Sequence, residues 1–89
     1  MNPEYYESLV LVAIKRLLDA GFNPSHLDIS EGAGIGNRTV ARAILRLEKK
    51  GRLSVARGKK GWQLHKYAIL DQPTEADLLA TELHKKFKL

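Results

Sequence analysis

Between residues 37 and 49 the chain reads Asn-Arg-Thr-Val-Ala-Arg-Ala-Ile-Leu-Arg-Leu-Glu-Lys. Its cations Arg38, Arg42, Arg46 and Lys49 recur three or four residues apart, so on a helix they share one side. Val40, Ala43, Ile44 and Leu47 stand at i, i+3, i+4 and i+7 on the opposite side, the stripe a core would take. A cationic helix face has a definite chemistry: it pairs with phosphates and with the acceptor edges of bases. A guanidinium suits guanine, an Asn amide suits adenine, and Thr suits a phosphate or a thymine methyl. Asn37, Arg38 and Thr39 open the helix, where backbone N–H groups lacking intrahelical partners also favour an anion. Arg42, one turn on, is the foremost candidate for a base contact. Arg46, Lys49 and Lys50 are placed for phosphates.

Other chemistries have less to work with. The chain has no cysteine, which removes disulfides, thiolate metal sites and thiol nucleophiles. His26, His65 and His84 are far apart in the sequence and have no clustered acids, so they read as surface or hairpin side chains rather than metal ligands. No nucleophile–base pair is evident and no insertion forms a pocket, so the chain is expected to be non-enzymatic and to need no cofactor. No apolar run reaches the roughly 18 residues of a membrane span, and the N-terminus lacks a signal pattern; a cytoplasmic location is expected.

The charge is also unevenly placed. Residues 37–66 carry ten cations and one acid, Glu48, while the rest carries five cations and nine acids. A basic block between acidic flanks points to a polyanionic partner. With 89 residues there is room for one small domain. Such a domain buries only about 60–65% of its unfolded surface, so contact with a second subunit would help it.

The elements that must position the basic helix can be placed in turn. A first helix starts with Asn2 as N-cap, Pro3 at the first helical position and Glu4 and Glu7 near the positive end of its dipole. Tyr6, Val10, Ala13 and Leu17 form its stripe, widened by Leu9, Ile14 and Leu18, with Tyr5 and Tyr6 packing against the body. Gly21 ends it, with Phe22 in the place of a capping hydrophobic contact, and Asn23-Pro24-Ser25 is a turn. A short second helix spans about 27–33, and the basic third helix about 37–50, closed by Gly51. Leu53 and Val55 then alternate with polar residues as a strand does. Gly58-Lys59-Lys60-Gly61 connects to a second β-rich stretch, Trp62, Leu64, Tyr67 and Ile69, with a bulge or strand end expected between Leu64 and Tyr67. Arg57, Lys59 and Lys60 give this hairpin a basic tip suited to DNA backbone or a narrow minor groove. Trp62 reads as an anchor at the hairpin base. After Asp71-Gln72-Pro73, Thr74 and Asp77 have the spacing of a capping box, and a fourth helix follows with Leu79, Leu83 and Phe87 at i+4 steps beside Leu78.

Gly32, Gly34 and Gly36 form a cluster that invites a nucleotide-loop reading. A dinucleotide loop needs G-x-G-x-x-G after a buried strand, and a Walker loop needs Gly-Lys-Ser/Thr; neither is present. A turn between two helices accounts for the residues better. Gly34 supplies the turn and Ser30 the small residue at the close approach, and Ile29, Ala33, Ile35, Val40 and Ala43 supply the inward set. Gly36 takes the N-cap place without offering a side-chain acceptor. Gly32 costs its helix about 1 kcal/mol relative to Ala, and the sequence supplies no reason for it.

With these residues in place, "GIGNRTVARAILRLEKKGRL" followed by "RGKKGW" resembles the winged helix-turn-helix family over roughly residues 9–69. The resemblance is closest to small bacterial and archaeal regulators. It implies an α+β, mostly helical fold: three helices and a β-hairpin wing, here with an extra C-terminal helix. Residues 1–70 would form the DNA-binding domain and 71–89 a C-terminal helix whose Leu79, Leu83 and Phe87 either fold back on the domain or, as the preferred reading, serve as a dimerisation element. The Z-DNA-binding branch does not fit: Ala41 and Leu45 fall where it carries Asn and Tyr, and the wing lacks paired prolines. The expectation is a homodimer that binds double-stranded DNA by sequence, as a transcriptional regulator and most simply a repressor. Asn37, Arg38, Thr39, Arg42, Arg46, Lys49, Arg57, Lys59 and Lys60 would contact the duplex. Plasmid or viral replication or partition is a second possibility, and a protein-interaction module a third.

Overall fold

A computed structural model describes residues 3–58 and 65–87. Asn2, Lys59, Lys60, Gly61, Trp62 and Leu64 lie outside them, and with them the expected first N-cap and wing tip. The elements are α1 (Pro3–Asp19), α2 (His26–Ala33), α3 (Asn37–Lys49), β1 (Leu53–Ala56), β2 (Lys66–Ile69) and α4 (Glu75–Phe87). Over the described residues the chain is thus a mostly helical α+β structure with four helices and two antiparallel strands.

Local chemistry explains the boundaries. α1 and α3 end in the same way, with Gly21 and Gly51 at φ 87° and 74°, where a Cβ would be strained. The next N–H reaches back over the last turn, from Phe22 to the Leu17 carbonyl and from Arg52 to that of Leu47, at 3.0 and 2.9 Å. Phe22, in the place of the expected capping hydrophobic contact, is 63% exposed. α2 starts with a capping box: the Ser25 hydroxyl accepts from the Asp28 amide at 3.1 Å, and the Asp28 carboxylate from the Ser25 amide at 2.9 Å. In the strand pair Leu53 lies opposite Ile69 and Val55 opposite Tyr67, which puts the four apolar side chains on one face.

The core is built around α1. Leu9 to Ile14 are buried without interruption, so α1 is enclosed on all sides rather than along one stripe. α2, α3 and β2 pack against it with Ile29, Ala33, Val40, Ala43, Ile44, Leu47 and Tyr67. α4 crosses it as well. Each fully buried aliphatic side chain contributes about 1.5–3 kcal/mol, so this cluster is the main source of stability.

α4 is attached by polar groups. Asp77 is buried, and its carboxylate accepts from Arg52 at 2.8 Å, from Ser8 at 2.6 Å and from the Thr74 amide at 2.8 Å. The Asp77 amide returns a bond to the Thr74 hydroxyl at 3.3 Å, completing the expected capping box. Arg52 also donates to Asp71 at 3.1 Å. Burial raises the Asp77 pKa, but the bonds from Arg52, Ser8 and Thr74 outweigh it and hold the carboxyl at about 2. Thr81 is buried on the same side, while Leu78, Leu79, Leu83 and Phe87 are exposed, Leu79 by 59% and Phe87 by 71%. The leucine stripe is therefore not what attaches α4 to its own chain.

Candidate nucleic-acid interface

α2 and α3 are joined by residues 34–36. Gly34 sits at φ 72°, and the Gly34 and Ile35 amides both reach the Ser30 carbonyl, at 2.8 and 3.2 Å. The Ser30 hydroxyl donates to the Ile35 carbonyl, so this one residue closes the turn from both sides. Ile29, Ala33, Val40 and Ala43 are buried as expected, and Ile35 packs against them partly covered. Gly32 places α2 beside α1: a Cβ there would meet that of Ala13 at 3.6 Å, an ordinary contact, so the backbone approach does not require glycine.

Burial of its apolar stripe fixes which way α3 faces. Val40, Ala43, Ile44 and Leu47 point into the core, while Asn37, Arg38, Arg42, Leu45, Arg46 and Lys49 are exposed and Thr39 is half-buried. Gly36 is the N-cap, at φ −72° and ψ 156°, and gives no side-chain cap. The first amides of α3 are consequently not occupied by a capping side chain.

The basic segment divides into two kinds of cation. Lys50 bonds to Glu7 at 2.8 Å, and that carboxylate is 5% exposed. Arg52 is paired with Asp71 and Asp77, and Arg57 with Glu48 through two bonds. These pairs hold α1 to α3, α4 to the start of β1, and the end of β1 to α3. Arg38, Arg42, Arg46 and Lys49 have no acid within ion-pair distance among the described residues, and the same is true of Lys66 on β2. Lys50, placed for phosphates by its sequence position, instead neutralises a buried acid.

Arg57 lies just past β1 and is fixed there by α3. The Arg57 guanidinium lowers the Glu48 pKa, and the carboxylate in turn raises that of Arg57. The histidines also depart from the reading that kept them apart. His26, on the first turn of α2, meets His65 edge-to-face with ring centroids 5.8 Å apart. The Gly58 amide donates to His65 Nδ1 at 3.2 Å. Burial, then His65 and Arg57, lower the His26 pKa, so an uncharged ring is favoured beside this cation. The third histidine tethers the turn: His84 of α4 lies 3.1 Å from the Gly34 carbonyl through Nε2 and 2.8 Å from the Tyr5 hydroxyl through Nδ1. A carbonyl only accepts, so Nε2 carries a proton and donates to Gly34, and in the neutral ring Nδ1 accepts from Tyr5. Chain folding brings residues 5, 34 and 84 together, and nothing in their local spacing announces it.

Among the described residues no group of three or more His, Asp or Glu side chains is placed to hold a metal ion, and no helix is long and apolar enough to cross a membrane. Comparison of the chain with protein-family models, curated proteins and solved structures found no match.

Proposed function

We propose that the chain is a winged helix-turn-helix protein that binds double-stranded DNA by sequence, most simply as a transcriptional repressor. One observation carries the reading. Four cations of α3, Arg38, Arg42, Arg46 and Lys49, stay exposed and, among the described residues, have no acid partner, although the same structure pairs Lys50, Arg52 and Arg57. α3 has 13 residues, about 20 Å of helix, and a helix of that kind fits the major groove. Asn37, Arg38 and Arg42 address base edges there. Arg46 and Lys49 address phosphates, as do the uncapped amides at Asn37 and Arg38. The Glu48–Arg57 pair fixes the end of β1, next to the expected wing residues Lys59 and Lys60, which lie outside the described residues, so Arg57 serves as a positioning residue more than as a duplex contact.

The outward leucine face of α4 supports pairing with a second copy through Leu79, Leu83 and Phe87. A two-fold dimer would then address two half-sites about one turn, or 34–36 Å, apart. Light scattering on the eluting protein should give twice the chain mass, and Leu79→Ser with Leu83→Ser should return it to one. The DNA reading is tested by titrating random-sequence duplex over a range of salt. Affinity that falls steeply as salt rises is expected. Little affinity for any duplex would favour a protein-interaction module and end the proposal.

A further inference from the structure

We infer that Leu45 reads the C5-methyl group of a thymine in the duplex that α3 binds, a specificity role that rests on the DNA-binding reading above. Leu45 is 58% exposed, whereas Val40, Ala43, Ile44 and Leu47 of the same helix are buried. It stands among cations, three residues after Arg42 and four before Lys49. The outer surface of α3 has two rows at i, i+4 and i+8. One is Arg38, Arg42, Arg46 and the other is Asn37, Ala41, Leu45. The second row is uncharged until its last member, Lys49, and Glu48, three residues after Leu45, is tied to Arg57.

The two rows suit different parts of a duplex. Guanidinium groups match guanine edges and phosphates, while an amide matches adenine and aliphatic groups match the methyl that thymine alone among the four bases presents in the major groove. Successive members of a row are about 6 Å apart along the helix, close to two base steps of about 3.4 Å. Asn37 and Leu45 can therefore address different A·T pairs of one half-site. Charge commits the occupant. An apolar protein surface docked on Leu45 would bury Arg38, Arg42, Arg46 and Lys49 without acids to meet them, whereas a duplex supplies phosphates to all four. A 5-methylcytosine offers the same methyl and would be recognised in the same way.

The test uses the full chain and a duplex that it selects from a random-sequence pool. That duplex is remade with each thymine in turn replaced by deoxyuridine, which removes the methyl and nothing else. For the unaltered chain, one or two of these replacements should weaken binding about three- to fivefold, the worth of one buried methyl. Leu45→Ala should reduce that penalty to below about 1.5-fold, with its melting temperature unchanged because the side chain is outside the core. The inference is overturned if no thymine shows the penalty, or if Leu45→Ala keeps it in full. Failure to select any duplex would instead remove the DNA-binding reading, and the inference with it.

Discussion

α3 and α4 are both 13 residues long and both amphipathic, yet they present opposite faces to the rest of the chain. α3 buries Val40, Ala43, Ile44 and Leu47 and turns its cations outward. α4 buries Asp77 and Thr81 and turns Leu78, Leu79, Leu83 and Phe87 outward. The difference lies in what each helix meets. α3 faces the apolar interior of the helical core, while α4 meets Ser8 and Arg52, groups whose hydrogen bonds a leucine would leave unmade. Apolar periodicity therefore identifies a face that needs covering without saying what covers it. For α3 the cover is the chain's own core; for α4 we propose a second copy.

The largest expected effect separates these two kinds of leucine. Leu47→Ala should cost about 3 kcal/mol of stability through the cavity it leaves, while Leu79→Ala should stay within about 0.5 kcal/mol. Denaturant melts at low protein concentration, where association does not contribute, would check both. A comparable cost for Leu79→Ala would show that its face is covered within the chain.

Next is the polar attachment of α4. Asp77→Asn should cost about 2 kcal/mol by weakening the bonds from Arg52 and Ser8. The Asp77 pKa is lower in the folded chain than in the unfolded one, so its contribution is complete above about pH 4 and is lost as pH falls towards 2. Thermal melts across that window should show a fall in stability that Asp77→Asn makes shallower. An unchanged slope would mean that other carboxylates govern the acid limb.

Smaller still are the two glycines flanking the turn. Gly32→Ala should raise stability by up to about 1 kcal/mol, since its Cβ fits against Ala13 and a helical glycine is replaced. Gly36→Ser should add a few tenths of a kcal/mol as a better N-cap. Gly36→Asp sharpens the contrast, because it caps α3 equally well but sets a carboxylate where a phosphate is proposed. Melting should improve with Gly36→Asp while duplex affinity falls.

Much of this was legible in the sequence. Helical periodicity located α1, α3 and α4, glycine marked the ends of α1 and α3, and Thr74 with Asp77 gave the start of α4. The α3 cations could be read from their spacing because a single helix sets their geometry. What could not be read was the pairing of distant charges. Nothing local ties Lys50 to Glu7, Arg52 to Asp77 or His84 to Gly34, since these contacts exist only once α1, α3 and α4 are packed. The capping box of α2 was visible in principle, in Ser25 and Asp28 three residues apart.

The most direct test compares free with committed cations. Duplex affinity would be measured against salt for the unaltered chain, for the Arg46→Ala/Lys49→Ala double variant, and for Arg57→Ala. The double variant should lose about two units of the log–log salt slope, because each phosphate contact contributes about 0.9. Arg57→Ala should lose much less, its charge being already met by Glu48. An unchanged slope in the double variant, or a larger loss for Arg57→Ala, would contradict the proposal.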